Sequence, residues 1–179
     1  MEIVIAIVAI VLLLLIVYIA IGNKLSRAQV KIDEAESGID VALTKRYDVL
    51  TKQLDIVKGY AKHESETIEK VIELRRGMPM AEKAAAAAAM NDLQSRINVV
   101  AEAYPELRSS ENFRTLQASV NDTEEHLQAA RRVYNSNVSM YNQMLVAFPS
   151  SVVANARHLT RREFFEAEAA KRADVKMDF

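Results

Sequence analysis

His63, Glu64 and Glu66 come closest to a metal-binding pattern in this chain. A helical zinc site of the metalloprotease kind needs His at i and i+4 around a Glu, since that spacing turns both imidazoles to one face. Position 67 is Thr, and His126 and His158 are far away in sequence. The group reads as a polar turn or a helix end. Serine, histidine and acids are all present, yet no Gly-x-Ser-x-Gly elbow presents a nucleophile, and no Walker loop or Gly-x-Gly-x-x-Gly turn cradles phosphate. With no cysteine there is no thiolate zinc ligand, Cys nucleophile or disulfide framework. Tyr104, Tyr134, Tyr141 and Phe148 could pass for a cofactor box. Three of them share one heptad seam, so core packing accounts for them better, with hydroxyls bonding at the rim or across helices. Arg131-Arg132 and Arg161-Arg162 read as solvated faces or ion pairs with the many Glu. No catalytic, cofactor-binding or metal set emerges, and no cofactor is expected.

Elements with so little chemistry to position must carry another role. All 23 Lys and Arg follow residue 23, and of the 24 Asp and Glu only Glu2 precedes it. The polar part is therefore formally neutral, which argues against electrostatic capture of nucleic acid. Four Gly and three Pro leave little material for a sheet with many turns.

Residues 3–21 read IVIAIVAIVLLLLIVYIAI, uncharged, with Tyr18 the one polar handle. As a helix the run spans about 28 Å, close to a hydrocarbon core of about 30 Å. A cleaved signal peptide would need a basic start, a shorter apolar stretch and a small-x-small site. The expectation is a retained anchor over residues 1–22. Lys24, Arg27 and Lys31 follow the run and no basic residue precedes it, so the N-terminus is expected outside and residues 23–179 in the cytoplasm, at the inner membrane of the cell.

Beyond the anchor the apolar residues keep helical spacing. Leu25, Ala28, Ile32, Ala35, Ile39 and Ala42 form a heptad seam of alternating large and small residues. The seam then shifts by one residue to Leu43, Tyr47, Leu50, Leu54, Val57 and Ala61, a stutter that need not end the helix. Lys62–Thr67 is a polar interruption, and Gly77-Met78-Pro79 is the clearest break. The chain turns back near 63 or near 77. Length matching prefers 63, because 23–62, 64–103 and 110–148 are then three antiparallel rods of about 60 Å. Residues 84–89 are all Ala, the best helix former, and either form a partly exposed helix or permit close helix contact. Phe113, Leu116, Val120, Thr123, Leu127, Ala130, Tyr134, Asn137, Tyr141, Met144 and Phe148 make the longest regular seam, in which Asn137 either fixes register or faces solvent. A last helix is expected from Ser150 to about 172, ahead of an extended tail.

An ordered set of short motifs now stands out. It runs Ile39-Asp40-Val41-Ala42-Leu43-x-x-Arg46-Tyr47-Asp48, Val57-Lys58-Gly59-Tyr60-Ala61-x-His63-Glu64 and Glu102-x-Tyr104-Pro105-Glu106-Leu107. It continues through Asn112-Phe113-x-x-Leu116-Gln117, Ala130-Arg131-x-x-Tyr134-Asn135, Tyr141-Asn142, Phe148-Pro149 and Phe164-Phe165-Glu166. With the N-terminal anchor, this set resembles the LemA family of membrane proteins over nearly the whole chain. There are departures: Leu50-Thr51-Lys52-Gln53-Leu54 stands where the family often has Ile-Pro-Asn-Leu, and Glu36-Ser37-Gly38 replaces a customary aromatic. The resemblance implies a single-pass membrane protein with an all-helical cytoplasmic bundle, and implies no reaction.

The reading is therefore an all-α chain, an N-terminal transmembrane helix continuing into a long up-and-down antiparallel four-helix bundle. Its expected role is that of a membrane-anchored structural scaffold, with no catalytic activity. The expected partners are the lipid bilayer, further copies of itself as a homo-oligomer, and an unknown membrane protein; nucleic acid is not among them. Ala28, Ala35 and Ala42 are the expected oligomer contacts, since small residues on a seam let a second backbone approach. The alternatives are an adaptor for a membrane protease or transporter, and a metal-dependent sensor or enzyme using the His63 region.

Overall fold

The computed structural model describes residues 1–60 and 78–166. Every regular element among them is helical: α1 (Glu2–Tyr60), α2 (Met80–Ala103), α3 (Pro105–Ser109), α4 (Glu111–Val146) and α5 (Ser150–Ala156). The all-α class is as the sequence implies. The helix α1 holds the apolar run and the following seams in one unbroken element, with no proline inside it. It is also the one helix among the described residues that is long and apolar enough to cross a membrane, and residues 1–20 are exposed along its whole circumference.

The chain divides into two compact units. The first is Met1–Glu36 with Val133–Phe164. In it Leu25 and Ile32 of α1 are buried, as are Tyr134, Val138, Tyr141 and Leu145 of α4. Gln29 bonds Tyr141 and Asn137 bonds Lys31, so α1 and α4 run antiparallel there. The second unit is Ser37–Arg132 with Phe165 and Glu166 among the described residues. Its core takes Ile39, Leu43, Leu50 and Val57 from α1, Met90, Leu93 and Ile97 from α2, and Phe113, Val120 and Leu127 from α4.

Some expected details differ. The helix with the alanine tract starts at Met80, after non-helical Met78 and Pro79, and not at 64. Asp40 pairs with Lys83, and Arg46 with Asn91 and Gln94, so α2 runs in the same direction as α1. That is the direction of a third rod in an up-and-down order, not of a second. Whether the chain turns near 63 or near 77 lies outside the described residues, as does the His63 group. Within the tract Ala86 and Ala87 are buried and Ala85 is exposed, so one edge of it packs inward.

The last helix ends at Ala156 instead of about 172. His158 adopts a left-handed φ of 52°. His158 N–H donates to Asn155 O and Leu159 N–H to Ala154 O, which closes the helix by the bonding of a Schellman cap. Glycine normally marks that cap, and none is present here.

In α4 the seam slips after Tyr134. Val138, Tyr141 and Leu145 turn inward, while Met144 is half-buried. Phe148, expected in the core, lies past the helix end and is 84 % exposed.

Candidate functional site

The densest buried chemistry lies in the second unit. The seam of α1 continues from Leu43 through Arg46, Leu50, Gln53 and Val57, with spacing 3, 4, 3, 4. Tyr47 and Leu54, expected on that seam, sit half-buried at its edge. The Arg46 side chain is 1 % exposed. Its Nη2 donates to Asn91 Oδ1 at 2.7 Å and to Gln94 Oε1 at 3.1 Å. Its Nη1 lies 2.8 Å from Glu124 Oε2, an ion-pair approach without hydrogen-bond alignment, and Nε has no partner. About two turns earlier on α2, the buried Lys83 places Nζ 2.7 Å from Asp40 Oδ1. Gln53 donates from Nε2 to Gln117 Oε1 at 2.7 Å, leaving its own Oε1 without a partner. Thr123 turns its hydroxyl back to Val120 O at 2.8 Å.

Burial lowers the Arg46 pKa, the nearby Glu124 carboxylate raises it, and Arg131 lowers it further. An arginine stays charged under such shifts. The cluster thus holds a fixed cation on a carboxylate and two amides. The group is suited to fixing register. Sliding α4 by one heptad would set Gln117 or Arg131 against Arg46 in place of Glu124. Buried ionic layers are best attested in that role, at some cost in stability.

In the first unit the buried polar atoms are neutral. Tyr134 donates its hydroxyl to Glu163 O at 2.9 Å, and Tyr141 accepts from Gln29 Nε2 at 3.1 Å. Burial raises the Tyr134 pKa, helped by Glu36, with Arg162 opposing. Asn137 is half-buried and donates to Lys31 O at 3.0 Å, so it ties α4 to the α1 backbone. Arg162 pairs with Asp33 at 2.9 Å. In the second unit the Arg131 guanidinium lies 4.5 Å from the Phe165 ring centroid. Both arginines thus have structural neighbours.

The described residues hold no cluster of three or more His, Asp or Glu able to take a metal ion. His126 is exposed, 3.4 Å from Asp122. An open cleft of about 470 Å³ is lined by Asn98, Glu102, Arg108, Phe113, Arg114 and Gln117. Of the expected oligomer contacts, Ala28 and Ala35 are half-buried, and Ala42 is buried inside its own unit. Ala42 therefore has almost no surface to offer a second copy. Sequence reasoning missed Arg46, Gln53 and Lys83. The available signal was the position of Arg46 and Gln53 midway along an otherwise apolar 3–4 spacing.

Comparison with known proteins bears on the same residues. The LemA family model matches residues 35–179. Protein LemA of Metamycoplasma hominis is 27 % identical over 168 residues, covering 89 % of this chain and 75 % of that protein.

Proposed function

The chain belongs to the LemA family, and on that premise we propose that it is a membrane-anchored helical scaffold that self-assembles at the inner face of the membrane. The unbroken α1 carries this reading. Its apolar run and its first packed seam are one helix, so whatever α1 gathers is held at a fixed height above the bilayer. Lys24, Arg27 and Lys31 favour the cytoplasmic side for that seam.

Surface left open on α1 supports self-association. Ala28 and Ala35 remain partly accessible. Further along, Val41 is exposed and a Cβ at Gly38 would meet nothing within 4 Å. A glycine inside a helix costs about 1 kcal/mol relative to alanine, and no neighbour among the described residues requires it. Confinement to a bilayer raises effective concentration, so weak lateral contacts suffice. No reaction is proposed for the Arg46 layer.

The mass of the detergent-extracted particle tests the reading, with more than one copy expected. Ala28→Gln with Ala35→Gln should reduce it to one copy while helix content stays unchanged. A wild-type chain that remains monomeric at high concentration in lipid nanodiscs would overturn self-assembly and leave an adaptor for another membrane protein as the better account. Protease added outside intact cells should leave residues 22–179 uncut, and digestion there would overturn the orientation.

A further inference from the structure

The first unit leaves an apolar turn exposed beside the end of the membrane run. Tyr141 pairs with Gln29, and α4 continues antiparallel to α1 for five more residues. At about 1.5 Å per residue, Val146 comes level with Lys24, just beyond the apolar run. There α4 stops. Val146 is 60 % exposed, Phe148 84 % and Val152 58 %.

The turn is held in this pose. Ser150 Oγ lies 2.6 Å from Met144 O and 2.9 Å from Ala147 O, while Val153 and Ala154 bury the other side of α5. Arg157, at the end of α5, rests its guanidinium directly on Gly22, in space that any Cβ would occupy. The same guanidinium lies 5.6 Å from the Tyr18 ring centroid. Arg157, Lys24 and Arg27 have no carboxylate partner among the described residues. A groove of about 240 Å³ lined by Lys24, Arg27, Ala28, Lys31, Met140 and Met144 adjoins them.

We infer that the α4–α5 turn is a second membrane contact, in which Val146, Phe148 and Val152 enter the lipid interface while Arg157, Lys24 and Arg27 meet the phosphates of anionic phospholipid. The inference rests on reading residues 3–21 as the anchor. Apolar side chains beside unpaired cations are the pattern that interfacial segments use, the former in the acyl boundary and the latter at the headgroups. Tyr18 sits where an aromatic belt residue would, and Arg157 reaches it by extending its stem along the helix. Gly22 leaves open the space that the Arg157 guanidinium occupies. A water-facing turn would gain nothing from Phe148, whereas one seated on lipid would stop the bundle from tilting about its single span.

A cysteine-free chain makes each introduced thiol unique. The full chain carrying Ala147→Cys, Leu13→Cys or Val133→Cys is labelled with an environment-sensitive dye. It is reconstituted into vesicles of phosphatidylcholine, with or without phosphatidylglycerol, that contain nitroxide lipid. Quenching at 13 and 147 should exceed that at 133 severalfold, because 133 lies about 20 Å along α4 from Val146 at 1.5 Å per residue. Phe148→Ser should weaken quenching at 147, and Arg157→Gln should abolish the gain that phosphatidylglycerol brings. Quenching at 13 but not at 147 overturns the turn contact and leaves the anchor standing. No quenching at 13 overturns the anchor and the contact together. A label at 147 that is shielded from water yet untouched by nitroxide lipid means a second copy covers the turn, and likewise overturns the inference.

Discussion

Residues 22–36 and 37–60 of α1 belong to different compact units and bury different chemistry. In the first, Leu25 and Ile32 share the core with Tyr134 and Tyr141, and the buried polar atoms are neutral hydroxyls with one partner each. In the second, Arg46, Gln53, Lys83 and Thr123 are buried among aliphatic residues. Two tyrosine rings fill the first core. The second core is lined by small residues, Ala42, Ala86, Ala87 and Ala101, and it also buries the long side chains of Arg46 and Lys83. Buried stems bring buried charges with them, and those charges need partners at fixed heights. The comparison teaches that one helix can serve two kinds of core, one neutral and one ionic, and that register specificity comes with the ionic one.

The contrast can be broken most severely at Arg46. Arg46→Ala removes the ion pair with Glu124 and opens a cavity, so the second unit should lose about 2–5 kcal/mol in a denaturant titration. Replacing both partners, Arg46→Met with Glu124→Met, should lose less than Arg46→Met alone. An equal loss would mean that the stem, and not the charge pair, matters. Next comes a neutral bond in the first unit. Tyr141→Phe removes the acceptor of Gln29 and should cost about 1 kcal/mol, because Gln29 is part-exposed and can turn to water.

Tyr134 sharpens the contrast through pH. Its folded pKa is raised above the ordinary 10.0. Above that value the unfolded chain releases its phenol proton while the folded chain keeps it, so the unfolded state binds fewer protons and stability falls as pH rises. Stability from this group is full below pH 10 and is lost as pH climbs toward the folded pKa. Tyr134→Phe should flatten that alkaline decline in thermal melts, and an unchanged slope would mean that other groups cause it. The smallest effect is a gain. Gly38→Ala should stabilise the helix by about 0.5–1 kcal/mol, since the added Cβ meets nothing. If instead it dissociates the particle, a second copy packs against that position.

Residue type and spacing by themselves determined the helical class, the apolar run of residues 3–21, the break at Met78-Pro79 and most of the α4 seam. These depend on local propensity and on the 3.6-residue period, which a single segment carries within itself. They also determined the family, through short motifs in a fixed order. Tertiary structure alone decided that Arg46, Gln53 and Lys83 are inside, because a charge reads as surface until partners such as Glu124, Asn91 and Asp40 arrive from distant segments. It decided the direction of α2, which is read from its pairing with α1 at Lys83, Asn91 and Gln94 and not from the helix itself. It ended α5 at Ala156, through a left-handed turn at His158 that no glycine marks. It set Phe148 outside, because α4 stops at Val146 and the ring that would have continued the seam has no helix to hold it against α1.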